Sequence, residues 1–443
     1  MMDRWFLVGL LGGLLLISTS CSDPTGVGSE LVGSGGQGTP EVYEVLPDTF
    51  GTETSPALTG LRLSLPNDNR SWRFLAGTVQ DPLSGVIEAE GYVDFLGAAP
   101  RSGSIVSDPV DSLDAELRLQ PSYFHGDTLS TYQVNVFEIR EEADMDRAPA
   151  DTSFEVRRQL GSTFSVTGRQ LTDSLITLPL PETWIRDHIT SIRSDTFGTA
   201  VNGFKIVAAN EPSSADRQVV TGFGLNSTRL RISATSDTVD FRAFKSFTHI
   251  ERRGDPQEQP EDRVLLQDGA GQGLFVEWNY DRPIFTDTLK NTPLNQAEIT
   301  APIDSTTMQA SIAGEPSFTR PDVNGYRVTA TLADPDEQSC NSLGLPQRPD
   351  DSGTCLLFTN TTAAPGAALV SSEISYTIFE RVLFETPLFT RFRFEIANRP
   401  SANASTQSTI QRGLPSTLPV LIRTDTSLAK ENLPRATLVV TPL

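Results

Sequence analysis

The sequence predicts an all-β protein assembled from β-sandwiches, and three observations carry that reading. From Asp111 to Ile139, Leu113, Ala115, Leu117 and Leu119 alternate with Asp114, Glu116 and Arg118. Tyr132, Val134, Val136 and Ile139 then alternate, less strictly, with Gln133, Asn135 and Glu138. A period of two sends one set of side chains into a core and the other into solvent. The same grammar recurs along most of the chain, and only one stretch has a convincing helical period. With His125-Gly126-Asp127 supplying turn chemistry, Asp111–Ile139 is expected to form a hairpin of two strands.

The first element is a leader. Trp5 to Ile17 is apolar, has the length of a signal-peptide h-region and is short for a membrane span. Ser18-Thr19-Ser20-Cys21 follows, small residues before a cysteine, as in a lipobox; the place that usually holds Leu holds Ser18. Residues 1–20 are therefore expected to be a lipoprotein signal peptide and Cys21 the lipidated N-terminus. Ser18 and Ser20 would also satisfy an ordinary secretory peptidase. Residues 21–50, rich in Gly, Ser and Thr, read as a flexible tether, loosest at Gly33 to Gly38.

At 443 residues the length suggests two or three domains. A first sandwich is expected over 51–250. Its strand signals are Ala57 to Leu63, Trp72 to Val79, Ala89 to Phe95, the Asp111–Ile139 pair, Leu160 to Phe164, Ser174 to Leu180, Gly203 to Ala209, Val219 to Leu225, Arg229 to Ala234 and Asp240 to Ile250. Gln80 to Gly85 reads as a turn. Pro181-Glu182-Thr183 opens the one helix, with Trp184, His188, Ile189 and Ile192 on one face and Thr183 placed to cap. Glu251 to Asp262 is charged, lacks apolar residues and reads as a linker. A second sandwich is expected over 263–443, from Arg263 to Gln267, Leu274 to Tyr280, Ala297 to Pro302, Met308 to Ile312, Tyr326 to Leu332, Cys355 to Thr359, Ile374 to Phe384, Phe389 to Ile396, Leu418 to Arg423 and Ala436 to Val440. A faint repeat (Asp111 to Leu117 against Leu294 to Ile299) suggests two related sandwiches in tandem.

If Cys21 carries lipid, an even pair remains: Cys340 and Cys355, around a loop rich in turn formers. An exported protein tolerates a disulfide there, worth about 3 kcal/mol in the chain-entropy model; two unpaired thiols are the alternative. Asp334, Asp336, Asp350 and Asp351 bracket that loop and form a calcium candidate, against the plainer reading of a solvated acidic loop. No other cofactor is expected.

Catalytic grammar is sparse. There is no G-x-S-x-G elbow, H-E-x-x-H or Walker loop. His125 reads as a turn residue rather than a catalyst, His188 as a core or boundary residue, and His249, near Glu251, as a structural hydrogen-bond partner. Trp72, Tyr92, Tyr123, Trp278 and Tyr280 are the candidates for stacking on sugar rings, and each fits a core as well. No ligand-binding residue can be singled out among them. The net charge is −21, and of 35 basic residues only Lys205, Lys245, Lys290 and Lys430 are lysine. That balance is typical of salt-rich surroundings and argues against a nucleic-acid partner, which needs a basic footprint.

These motifs, in order, resemble a family of lipoproteins from Bacteroidota and related bacteria known only as a domain of unknown function. The resemblance is carried by Cys21 with Asp23 to Leu31, Leu75-Ala76-Gly77 followed by Asp81-Pro82 and Gly85, Asp111-Ser112, Gly126-Asp127-Thr128, Val136-Phe137-Glu138, Gly203 to Ile206, Phe247 to Ile250 and Asp268 to Gly273. It covers most of residues 21 to about 300. It implies an outer-membrane lipoprotein, at the cell surface or on the periplasmic face, of tandem jelly-roll-like domains similar to non-catalytic carbohydrate-binding modules, with no established activity.

The expectation is thus a non-catalytic envelope lipoprotein that binds a glycan or another surface component. The alternatives are a structural subunit of an outer-membrane protein complex and a glycoside-active enzyme using two facing carboxylates.

Overall fold

The computed structural model describes residues 39–54, 73–96, 103–143, 145, 152–213, 216–253, 262–267, 272–321, 326–333, 340, 347–348, 351–357, 368–371, 379, 389–396, 417, 419–424 and 432–441. The protein is all-β and sandwich-like; among the described residues, antiparallel strands form sheets of four, thirteen and eight strands, and the helices are short. In chain order the strands are β1 (Glu41–Val45), β2 (Thr49–Thr54), β3 (Arg73–Asp81), β4 (Gly85–Phe95), β5 (Asp114–Leu119), β6 (Pro121–Asp127), β7 (Thr131–Ile139), β8 (Val156–Gln159), β9 (Phe164–Thr167), β10 (Ile176–Leu180), β11 (Phe204–Ala208), β12 (Gln218–Gly224), β13 (Arg229–Ser233) and β14 (Thr238–Arg253). Then follow β15 (Arg263–Gln267), β16 (Gln272–Glu277), β17 (Leu294–Pro302), β18 (Phe318–Thr319), β19 (Tyr326–Leu332), β20 (Gln347–Arg348), β21 (Asp351–Leu357), β22 (Ala368–Ser371), β23 (Phe389–Ile396), β24 (Pro419–Arg423) and β25 (Arg435–Val440).

The stretch expected to be a hairpin is three strands. β5 pairs with β10 and β13, β6 with β12, and β7 with β8, β9 and β11. The two alternating runs are real strands, but they are not neighbours. Their apolar faces meet instead in one core with the inner faces of β10, β11, β12 and β13 and with Trp184 and Ile192 of the helix Glu182–Ile192. The helix occupies its predicted place. Its cap is Pro181 with no side-chain hydrogen bond, so Thr183 does not cap. His125 to Asp127 lie within β6, and the turn is one step later, at Thr128 to Ser130. Gly126 has φ +140°, and a Cβ there would stand 2.3 Å from the Gln218 carbonyl oxygen. Glycine lets β6 pass that close to β12, which is why the sequence looked like a turn.

β3 is buried along almost its whole length because both its faces are covered. Phe74 and Ala76 face the core just described. Leu75 and Val79 face the other way, into a smaller cluster with Ile87, Ala89, Tyr123, Val220 and Ile250. Phe318 and Ile312, from the far side of the sequence, pack on that cluster, and β18 adds to the edge of β6. Met308 to Ile312, expected as a strand, are helical and turn: the helix Ser305–Ala310 starts at Asp304, whose carboxylate accepts from the Thr307 N–H. An N-cap of that kind satisfies an otherwise orphaned donor and outweighs a short apolar alternation.

A second large core lies among β15, β16, β17, β19, β23, β24 and β25 and includes Cys340 and Cys355. β1 pairs with β25 and β2 with β16. Residues 41–50, expected in the tether, are therefore largely strand, and 51–54, expected in the first sandwich, belong to the sheet of the later strands. Period-two patterning identifies a strand without saying which sheet takes it. Glu251 to Arg253 of the expected linker extend β14; residues 254–261 lie outside the described residues. So do Cys21, the leader, Ala57 to Leu63, Trp72 and all of Ile374 to Phe384 except Phe379.

Candidate functional site

Among the described residues, a dense arrangement of chemistry-bearing side chains sits where β18 meets β6. Tyr123 and His125 alternate on one face of β6 and point at β3 and at the later part of the chain. His125 Nε2 donates to Asp81 Oδ2 at 3.0 Å, and its Nδ1 lies 2.7 Å from Thr417 Oγ1. Arg320, one residue past β18, grips the same carboxylate through Nε at 2.6 Å and Nη2 at 2.8 Å. The N–H groups of Leu83 and Ser84 donate to Asp81 Oδ1 at 2.7 and 3.1 Å. The Thr417 N–H donates to the Tyr123 hydroxyl at 2.9 Å, and the Gln267 amide donates to the Thr417 carbonyl at 2.6 Å. Burial pushes the Asp81 carboxyl up, but the hydrogen bonds and charges of His125 and Arg320 together outweigh it and hold the group far below the usual carboxylate range.

An Asp, a His and a hydroxyl in line share the geometry of a nucleophilic triad. Here Thr417 and His125 are 0% exposed and Asp81 1%. A hydroxyl with no exposed surface cannot meet a substrate in this conformation. What the arrangement does is fix one sheet against the chain that crosses it, with each lone pair of the buried carboxylate used.

The other two histidines are also held by carboxylates. His188 Nε2 donates to Glu138 Oε1 at 2.7 Å, and Arg157 and Arg158 reach the same carboxylate at 3.3 and 3.1 Å. Burial raises the Glu138 carboxyl, yet His188 and the two guanidiniums bring it below its ordinary value. On β4, Glu90 accepts from the Tyr92 hydroxyl at 2.8 Å and from Lys205 at 2.8 Å, with His249 Nδ1 at 3.3 Å. Burial works against this carboxylate, but the hydrogen bonds from His249, Lys205 and Tyr92 hold it at about 2. His249 thus pairs with Glu90 across the strands, not with its sequence neighbour Glu251.

The aromatic candidates are mostly inside. Tyr92, Tyr123 and Trp278 are buried, and Tyr280 is half-buried against the second core. Asp334, Asp336 and Asp350 lie outside the described residues, as does the side chain of Asp351, which opens β21. Among the described residues no group of three or more His, Cys, Asp or Glu is arranged to hold a metal ion. Cys340 and Cys355 stand at disulfide distance, with Cα atoms 5.3 Å apart. Among the described residues no helix is long and apolar enough to cross a membrane.

Sequence reasoning missed the Asp81–His125–Arg320–Thr417 arrangement because its bonded pairs are 44 to 292 positions apart. The one local signal was Tyr123-x-His125, a period-two pair that reads as one face of a strand once the turn assignment is dropped.

No protein-family model matches the chain, and no curated protein matches it. A solved structure from Parabacteroides distasonis, whose description takes it for a secreted protein, matches at 8% identity over 91% of this chain and 99% of that one, with a TM-score of 0.21. A score that low carries no argument about fold or function. What stands is an all-β, sandwich-like protein with a weak structural neighbour among the Bacteroidota.

Proposed function

We propose that this protein is an exported, lipid-anchored envelope protein whose sheets bind a glycan or another surface component without turning it over. One observation supports the non-catalytic part most. Each histidine is committed to a carboxylate, and each of those carboxylates is also held by an arginine or a lysine. A general base must reach substrate with a free lone pair; both ring nitrogens of His125 are bonded inside the fold and it is 0% exposed, and His188 is 7% exposed. The leader ahead of Cys21 supports export, and the Cys340–Cys355 pair fits an oxidising compartment.

The test is a glycan array probed with the mature chain, alongside a polysaccharide-hydrolase panel. Binding without turnover is the expected result. Turnover abolished by a single carboxylate substitution would overturn the reading. A second reading, a structural subunit of an outer-membrane complex, is favoured by the burial of Tyr92, Tyr123 and Trp278, which leaves few ring faces for sugars. It predicts co-purification with a membrane protein after mild detergent extraction, and a clean monomer retaining a sugar would count against it.

A further inference from the structure

The outer face of β5, β13 and β14 carries its charges in two unlike rows. Residues directly paired across antiparallel strands share a face. In one row, Glu116, Arg231 and Asp240 stand side by side, and Arg231 is bidentate to Asp240 at 2.7 and 2.9 Å. That row holds two acids and one base, and Asp240 also feels the charges of Arg118 and Arg229. Two residues along each strand, the next row is Arg118, Arg229 and Arg242, three cations in register. Their inner-face neighbours Leu117, Leu230 and Phe241 are fully buried, so the guanidiniums belong to the outer face. Arg118 reaches Glu116 only at 3.6 Å, Arg229 donates to the Thr228 carbonyl at 2.7 Å, and Arg242 is exposed and, among the described residues, has no ion pair.

Like charges directly opposite on a sheet are destabilising. In a chain with 56 acidic residues and 35 basic ones, three aligned arginines are the reverse of what composition would place there. Burial lowers the Arg229 pKa and the neighbouring charge of Arg242 lowers it further, against a smaller opposing pull from Asp240. Farther along β14, past a register shift, Phe244 is half-buried with Lys245 Nζ 5.1 Å over its ring, and Lys245 stands opposite Asp94 of β4.

We infer that Arg118, Arg229 and Arg242 form a subsite for the carboxylate or sulfate groups of an acidic glycan. Planar guanidiniums match such oxyanions bidentately. An open sheet face suits an extended chain, and the acidic remainder of the protein makes binding of any polyanion depend on this local strip. This inference rests on the glycan-binding reading above and names the class of glycan.

The experiment is calorimetric titration of the mature chain with polygalacturonate, dextran sulfate and neutral dextran, for the wild type, Arg229→Gln, Arg242→Gln and the control Arg231→Gln. The expected result is salt-sensitive binding of an acidic polymer, weakened about tenfold or more by R229Q or R242Q through loss of a charge-assisted hydrogen bond and largely kept in R231Q. The thermal midpoint without ligand should rise in R229Q and R242Q, because repulsion is relieved; a purely structural row would lower it or leave it unmoved. Equal binding of acidic polymer by wild type and the R229Q/R242Q double variant overturns the inference. Binding of neutral dextran alone overturns it while the glycan reading stands, and no binding to any glycan overturns both.

Discussion

Asp81→Asn is the sharpest probe of the junction between β6 and β18. The side chain changes by one group in size but loses its charge. The amide can still accept from the Leu83 and Ser84 N–H groups through one oxygen. Its NH2 then faces the Arg320 Nε–H and the His125 Nε2–H, so donors oppose donors where the carboxylate had accepted at 2.6 and 3.0 Å. The Arg320 side chain is 7% exposed, and among the described residues the Met308 carbonyl is its one other hydrogen-bond acceptor. Removing one partner of a buried charge pair costs about 3–5 kcal/mol, and D81N should fall in that range. Urea unfolding of the mature chain at pH 7 measures it. The pH dependence adds a second constraint. The folded carboxyl lies below its unfolded value, so the stabilisation is complete above pH of about 4 and is lost as pH falls further. The wild type and D81N should therefore differ equally at pH 5 and pH 8 and converge below pH 4. A D81N penalty under about 1 kcal/mol, the level of an exposed ion pair, would refute the argument. So would strict additivity of D81N with Arg320→Met, since residues sharing one network should couple.

Two further predictions follow from the other buried groups. Glu90 is held at about 2 against an ordinary value of 4.5, so E90Q should cost about 3 kcal/mol at neutral pH; the difference should persist down to about pH 4.5 and close as pH falls toward 2, as read from urea midpoints across that range. Reduction, or Cys355→Ala, should lower stability by about 3 kcal/mol, the loop-closure contribution for a separation of 15 residues; calorimetry with and without reductant checks it, and an unchanged transition would show the pair to be unbonded in solution.

Much of the fold was legible because strands announce themselves locally. β5, β13 and β25 show a strict alternation of buried and half-buried or exposed residues, and their apolar faces are those the period-two pattern selects. The helix Glu182–Ile192 was equally plain, since Trp184, His188 and Ile192 recur at helical spacing among strands. Pairing was not legible. The pattern around Asp111–Ile139 says which side chains go inward, and it is silent on β5 choosing β10 and β13 over β7. The candidate site failed for the same reason: a histidine on β6, an aspartate ending β3, an arginine after β18 and a threonine before β24 become neighbours only through sheet topology. Gly126 compounded the error, because glycine between His and Asp signals a turn and here permits a close strand crossing.

The pairing of the chain's beginning with its end has a consequence that truncation can test. β1 contributes Val45 to the second core, with Tyr43 packed against it, and β2 adds Phe50. β1 also covers one edge of β25 along five residues, and β2 covers one edge of β16 along six. A chain beginning at residue 55 would keep β25 and β16 but leave those edges with unpaired N–H and C=O groups beside exposed apolar surface, the combination that recruits other strands. It should aggregate or lose stability in the sheets holding Val440 and Val276, while a chain beginning at residue 39 stays monomeric. The sheet built on β3 and β4 has its own core and should keep its far-ultraviolet signature and the fluorescence of Trp184 in both. Had the fold begun at residue 51, as the composition of the preceding segment suggests, trimming β1 would be harmless. A monomeric, equally stable protein lacking residues 39–54 would therefore show that the pairing of β1 and β2 contributes nothing to stability. Residues 41 and 440 must meet before β1 can pair, and among the described strand pairs theirs is the most distant in sequence. Closure of so long a loop slows folding, and a chain lacking β1 should refold faster than one that keeps it.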